Sequence, residues 1–101
     1  MQINLSGQHF EITPTLRDYV NTKFPRLSRF FTPITLIHIV LKIEKTRHIA
    51  EATLQANGED LHATAKESSM NAAIDRLLDK LARQLTKYKI KLYHLQRARL
   101  N

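Results

Sequence analysis

Three consecutive runs between residues 36 and 66 place apolar side chains at every second position, and this constrains the fold more than any other feature of the chain. In the first run, Ile37, Ile39, Leu41 and Ile43 alternate with Leu36, His38, Val40, Lys42 and Glu44. The second alternates Ala50, Ala52, Leu54 and Ala56 with Glu51, Thr53 and Gln55. The third sets Leu61, Ala63 and Ala65 against His62, Thr64 and Lys66. A period of two puts successive side chains on opposite faces of an extended chain, so each run is a strand with one face to cover. Asn57-Gly58 is a tight-hairpin signal between the second and third runs, and the polar stretch 45–48 reverses the chain between the first and second. An antiparallel meander follows. The inward faces of its last two strands are mostly alanine, which lets a helix pack close to the sheet.

The flanking segments supply the cover. Ile3 and Leu5 alternate with Gln2, Asn4 and Ser6 as a short strand; Gly7 turns the chain, and Phe10 and Ile12 extend the run. Thr13-Pro14 reads as an N-cap followed by proline at the first helical position. Leu16, Tyr19, Val20, Phe24, Leu27, Phe30 and Phe31 then recur at helical spacing up to Pro33. Pro25 removes a helix hydrogen bond, which predicts a kink or break near residues 21–25. Ser68 or Ser69 caps a second, long helix with a stripe from Met70 through Leu95, running close to residue 97 and projecting beyond the short strands. The order is β-α-β-β-β-α, an α+β fold: a four-stranded sheet with two helices on one face, the first two strands parallel through a crossover. Its 101 residues make one domain, residues 1–97, with a short basic end at 98–101.

The net charge of +7 lies in one segment. Residues 76–101 carry Arg76, Lys80, Arg83, Lys87, Lys89, Lys91, Arg97 and Arg99 against the single acid Asp79, whereas the cations and acids of residues 1–75 cancel. On a helical wheel Arg76, Lys80, Arg83, Lys87 and Lys91 fall in a band roughly 80° wide beside the apolar stripe, extending over about 22 Å, with Asp75 and Asp79 on the opposite flank. Aligned like charges are unfavourable without a partner, and a run of phosphates fits the spacing. Lys23, Arg26 and Arg29 on the first helix form a second basic group, with Lys23 close enough to the apolar stripe to snorkel. With both helices on one face, this group is expected to meet the band across a groove. Lys42, Lys45, Arg47 and Lys66 are diluted by Glu44, Glu51, Glu59 and Glu67 and read as mixed surface.

Several function classes are disfavoured. The chain has no Cys, hence no disulfide framework and no thiolate metal site. His38 and His62, on the open face of the sheet, are the candidates for metal ligation, but no HxH or HExxH spacing accompanies them, so neither metal nor cofactor is expected. With Gly7 and Gly58 as its glycines the chain has no glycine-rich phosphate cradle, and no nucleophile motif or paired acids stand out, so the expectation is that it is not an enzyme. No signal peptide is recognisable, and no apolar run approaches the ~18–20 residues that span a bilayer.

The run Ile12-Thr13-Pro14-Thr15-Leu16-Arg17-Asp18-Tyr19-Val20, the segment Arg26-Leu27-Ser28-Arg29-Phe30-Phe31, and above all Met70-Asn71-Ala72-Ala73-Ile74-Asp75-Arg76 continuing through Asp79-Lys80-Leu81-Ala82-Arg83-Gln84 to Lys87-Tyr88-Lys89 resemble the bacterial ribosome hibernation promoting factor family, also called the ribosome-associated inhibitor or sigma-54 modulation family. The resemblance covers nearly the whole chain. It implies a fold similar to the double-stranded RNA-binding domain. It also implies a cytoplasmic factor that binds rRNA and proteins of the small ribosomal subunit, in the channel used by mRNA and tRNA anticodon stems. Such a factor stops translation in stationary phase by occupancy. By that resemblance Lys23, Arg26, Arg29, Lys80, Arg83, Lys87 and Lys91 contact rRNA. The length resembles the family's short form, monomeric when free, which acts with a ribosome modulation factor to give inactive ribosome dimers. The alternatives are an inhibitor that keeps ribosomes as monomers, a general double-stranded RNA-binding module, or a module whose basic helix docks an acidic protein. Two residues depart from the family pattern: Pro25, where a helix-compatible residue is usual, and Asn71, where tyrosine usually follows Met70.

Overall fold

The computed structural model describes residues 1–29 and 34–100, with backbone alone from residue 92 onward. The elements are β1 (Gln2–Gly7), α1 (Pro14–Lys23), a 3-10 helix (Phe24–Arg29), β2 (Ile34–Glu44), β3 (Arg47–Ala56), β4 (Glu59–Glu67) and α2 (Met70–Leu100). The sheet order is β1-β2-β3-β4. β1 runs parallel to β2, while β2, β3 and β4 form the antiparallel meander.

Local chemistry explains each boundary. The Thr13 hydroxyl accepts a hydrogen bond from the Leu16 amide at 3.2 Å, and Pro14 occupies the first turn, where a missing N–H costs nothing. The break expected at Pro25 takes the form of a change of helix type: α1 stops at Lys23 and the chain tightens into the 3-10 turn, with the Ser28 hydroxyl donating to the Pro25 carbonyl at 2.8 Å. Asn57 and Gly58 both have positive φ, 53° and 78°, as a two-residue hairpin of this type requires. The reversal after β2 is shorter than the sequence suggests. Arg47 and His48 pair with Glu44 and Ile43, leaving a turn at Lys45-Thr46 with Lys45 at φ 56°. Phe10 and Ile12 are not strand; β1 ends at Gly7, where an added Cβ would lie 1.8 Å from the Phe10 carbonyl oxygen, so the chain doubles back at a point only glycine fits. The Gln8 amide then bonds the Leu41 carbonyl at 2.9 Å, and Phe10 and Ile12 pack against the core. Ser69 is the cap of α2, its hydroxyl accepting from Ala72 N and its carbonyl from Ala73 N.

Both helical segments cover the same face. Val20, Phe24 and Leu27 from one side and Ala73, Ile74, Leu77, Leu81 and Leu85 from the other close over Ile37, Ile39, Leu41, Ala50, Ala52, Leu54 and Ala65. The alternation in residues 36–66 therefore assigns the faces correctly, with one exception at the end of β2: Ile43 is 43% exposed because the strand runs past the helices. On the open face Ile49 is buried between its register partners Lys42 and Lys66, whose alkyl stems suit that role. Among the described side chains Tyr88 is the last buried residue of the α2 stripe, and the helix backbone continues through Leu100. This overhang, expected to stop near residue 97, makes the molecule 53 Å long and about 20 Å in its other dimensions, 22 × 18 Å. Phe30, Phe31 and Pro33, and the side chains of Leu92 and Leu95, fall outside the described residues.

Candidate nucleic-acid interface

The interface is best read from α2 outward. Its buried stripe fixes the helix over the alanine floor of β3 and β4, and that fixes the direction of each flank. One flank leans over β4, the edge strand. Arg76 Nη1 donates to Glu67 Oε1 at 2.9 Å, the Lys80 ammonium donates to the Thr64 carbonyl at 2.6 Å, and Gln84 Nε2 donates to the His62 carbonyl at 2.7 Å. Residues two apart in an antiparallel edge strand point their carbonyls the same way, so Lys80 and Gln84 occupy adjacent outward-facing acceptors. An edge strand with its carbonyls engaged is a poor template for pairing with another chain. Gln84 is missing from the sequence-based site, although it lies one helical turn past Lys80; its lack of charge hid it.

The other flank of α2 faces α1 and the 3-10 helix, and it differs from the sequence expectation. Arg26 and Arg29 do line a groove against α2, of about 320 Å³, but α2 contributes Asp75, Leu78, Asp79 and Ala82 to it. Arg76 and Lys80 of the basic band lean away from that groove over β4, while Arg83 stands on the ridge beside Asp79. The two cationic groups thus do not meet across it. The wheel puts Asp75 and Asp79 on the flank opposite the band; in the structure Asp75 turns to Lys23 as that implies, but Asp79 pairs with Arg83 of the band itself.

Lys23 is held inward. Its ammonium donates to Asp75 Oδ1 at 3.0 Å and to the Tyr19 hydroxyl at 2.7 Å, while that hydroxyl donates to the same carboxylate oxygen at 2.6 Å. The ammonium also sits 4.4 Å from the centre of the Tyr19 ring. The Tyr19 hydroxyl, then Asp75, raise the Lys23 pKa above its usual value and outweigh the opposing effect of burial. Burial alone would push the Asp75 carboxyl up; Tyr19 and Lys23 together outweigh it and hold that carboxyl below its usual range. The triad ties α1 to α2, so Lys23 is a clamp as well as a cation.

Among the remaining cations Arg83 pairs with Asp79 one turn earlier at 3.0 Å, whereas Arg26, Arg29, Lys87 and Lys91 are exposed and hold no carboxylate among the described residues. His38 and His62 are separated by Thr53 in one cross-strand row, with Thr53 Oγ1 and His62 Nδ1 3.1 Å apart. Among the described residues no three His, Asp or Glu side chains converge as a metal site. No helix there is long and apolar enough to cross a membrane.

The four-stranded mixed sheet with two helices on one face is the fold of ribosomal subunit interface proteins. The ribosomal subunit interface protein of Coxiella burnetii superposes with a TM-score of 0.85 at 34% identity, over 89% of this chain and 99% of that one. The N-terminal domain of Protein Y from Thermus thermophilus superposes with a TM-score of 0.79 at 31% identity, over 87% of this chain and 99% of that one. Residues 3–93 match the family described as sigma 54 modulation protein / S30EA ribosomal protein, and the chain belongs to that family. Relatives named ribosome hibernation promoting factor include those of Klebsiella oxytoca, 54% identical over 92 residues, and Escherichia coli K12, 51% identical over 92 residues; each match covers 91% of this chain and 97% of the relative.

Proposed function

We propose that this chain is a ribosome hibernation factor that binds the small ribosomal subunit through the basic flanks of α2 and the 3-10 helix. It inactivates translation by filling the channel used by mRNA and tRNA, without catalysing a reaction. The observation that supports this reading is the run of Arg76, Lys80, Arg83, Lys87 and Lys91 along one rigid helix, with Arg26 and Arg29 exposed where they line the groove beside it, in a chain of this family. A helix holds such cations at fixed spacing, so phosphates placed to match are met without the cost of ordering the side chains' backbone. Lys23 adds to the local potential from its clamped position. In this reading the protein works in the cytoplasm as a monomer, on rRNA and ribosomal proteins, and favours inactive ribosome dimers together with a modulation factor on the same ribosome.

The decisive test is co-sedimentation with purified small subunits. The triple variant Lys80→Glu, Arg83→Glu, Lys87→Glu should lose binding while keeping its circular dichroism; retained binding refutes the assignment of the surface. Equal affinity for small subunits and a generic RNA duplex at matched salt would instead favour a general RNA-binding module. Sucrose gradients of stationary-phase ribosomes, with and without the chain, read the balance of monomers and dimers.

A further inference from the structure

The basic surface is not uniformly available. Three of its cations already hold a carboxylate: Arg76 with Glu67 at 2.9 Å, Lys23 with Asp75 at 3.0 Å, and Arg83 with Asp79 at 3.0 Å. The three acids come from different places, β4 and two successive turns of α2, so no single structural need accounts for them. They also reach solvent, with side chains 33%, 49% and 59% exposed. Exposed pairs of this kind add little to stability in water. Asp75 has a second task through Tyr19, but Glu67 and Asp79 have no hydrogen-bond partner other than their arginines among the described residues.

Their effect on a ligand is different. A phosphate that approaches Arg76 or Arg83 must come beside a carboxylate or displace it, and either costs free energy. Any duplex meets that cost, because phosphates line its outside at every step and its 2′-hydroxyls and minor-groove edges carry no positive charge to set against the acids. A folded RNA–protein surface can set N–H donors or lysines opposite the acids and phosphates opposite Arg26, Arg29, Lys87 and Lys91. We propose that Glu67, Asp75 and Asp79 are specificity-determining residues of this surface: as built-in counter-ions they suppress binding to generic RNA and leave binding to a matched ribosomal surface nearly intact. This rests on the small-subunit reading above.

The test measures the wild type and the Glu67→Gln, Asp79→Asn double variant against two targets: a generic RNA duplex by fluorescence anisotropy over a salt series, and purified small subunits by co-sedimentation. Five candidate cations hold no carboxylate among the described residues, so wild-type duplex binding should fall with salt at a log–log slope of about −4.5, from ~0.9 per phosphate. Releasing Arg76 and Arg83 should steepen this to about −6.3. Duplex affinity should rise on the order of tenfold, roughly threefold per carboxylate, while subunit affinity changes less than threefold. Asp75→Asn, checked first by thermal unfolding because it opens the Tyr19 clamp, should shift duplex binding in the same direction. An unchanged slope and duplex affinity, or an equal rise for both targets, overturns the inference. A wild type that fails to bind small subunits refutes the underlying reading as well, and the wild-type arm alone shows it.

Discussion

The alanine floor beneath α2 can be tested by filling it. Ala65 is fully buried on β4, inside the cluster that includes Ile74, Leu77, Leu81 and Leu85. Ala65→Leu adds three heavy atoms to a close-packed site, and overpacking of this kind costs ~1–3 kcal/mol. Taking about 2 kcal/mol, and ~4–8 °C of melting temperature per kcal/mol for a domain of this size, the midpoint should fall by roughly 8–16 °C. The opposite perturbation, Leu77→Ala, opens a cavity and should cost ~3–5 kcal/mol. The two variants differ in kind. The leucine pushes α2 away from β4, so Lys80 and Gln84 are pulled from the Thr64 and His62 carbonyls. Amide exchange should therefore quicken along β4 beyond what the loss of global stability explains. The cavity variant leaves the seat of α2 unchanged and shows only the global effect. Thermal melts by circular dichroism and exchange mass spectrometry read both. A melting temperature for Ala65→Leu within about 2 °C of wild type would show that small side chains do not set the seat of the helix.

Three further outcomes follow from the geometry. Gly7→Ala should be much more damaging than Gly58→Ala: the first Cβ meets the Phe10 carbonyl oxygen at 1.8 Å, while the second meets open space and carries only positive-φ strain of ~1–2 kcal/mol, so equal losses in urea unfolding would contradict the reading. Thr13→Ala should cost about 1 kcal/mol through the lost cap of α1, measurable by the same titration; no loss would mean that Pro14 alone starts the helix. Asp75→Asn should lower the melting point at neutral pH. Because the Asp75 carboxyl is held below its usual value, the stabilisation it gives is present above the ordinary carboxylate pKa and disappears as pH falls through the lowered one. The gap between variant and wild type should therefore close in acid, and a gap constant with pH would rule out the ionised clamp.

What could be read in advance tracks how local the physics is. The strand faces were legible because a period of two needs only neighbours: Ile37, Ile39, Ala52 and Leu54 go in, and Glu51 and Thr53 do not. The Thr13 cap and the Asn57-Gly58 turn were legible for the same reason. Ile43 was misread because its exposure depends on how far the helices reach, which no strand pattern contains. The turn at Lys45-Thr46 was drawn too long because Arg47 and His48 are polar yet pair in the ladder. The basic band was legible on a wheel, but its surroundings were not. Which flank of α2 faces α1 depends on the packing of two helices on one sheet. That packing puts Asp75 and Asp79 in the groove beside Arg26 and Arg29, where the sequence suggested converging cations.

The same packing explains how α2 can hold the sheet edge and a ligand at once. Lys80 spends one donor of its ammonium on the Thr64 carbonyl and keeps two. Arg76 engages Glu67 through Nη1 and keeps the far side of its guanidinium, and Lys87 holds no partner among the described residues. Phosphates can therefore be met by donors pointing away from β4 without releasing its carbonyls. In the proposed reading the edge stays closed when RNA binds, so β4 does not become a site for self-association. α2 covers β4 through Arg76, Lys80 and Gln84 and carries the band on to Lys91, past Tyr88. In the proposed reading, α2 around and past Tyr88, where Lys87 and Lys91 stand exposed, is the part of the helix free to meet a partner outside the chain.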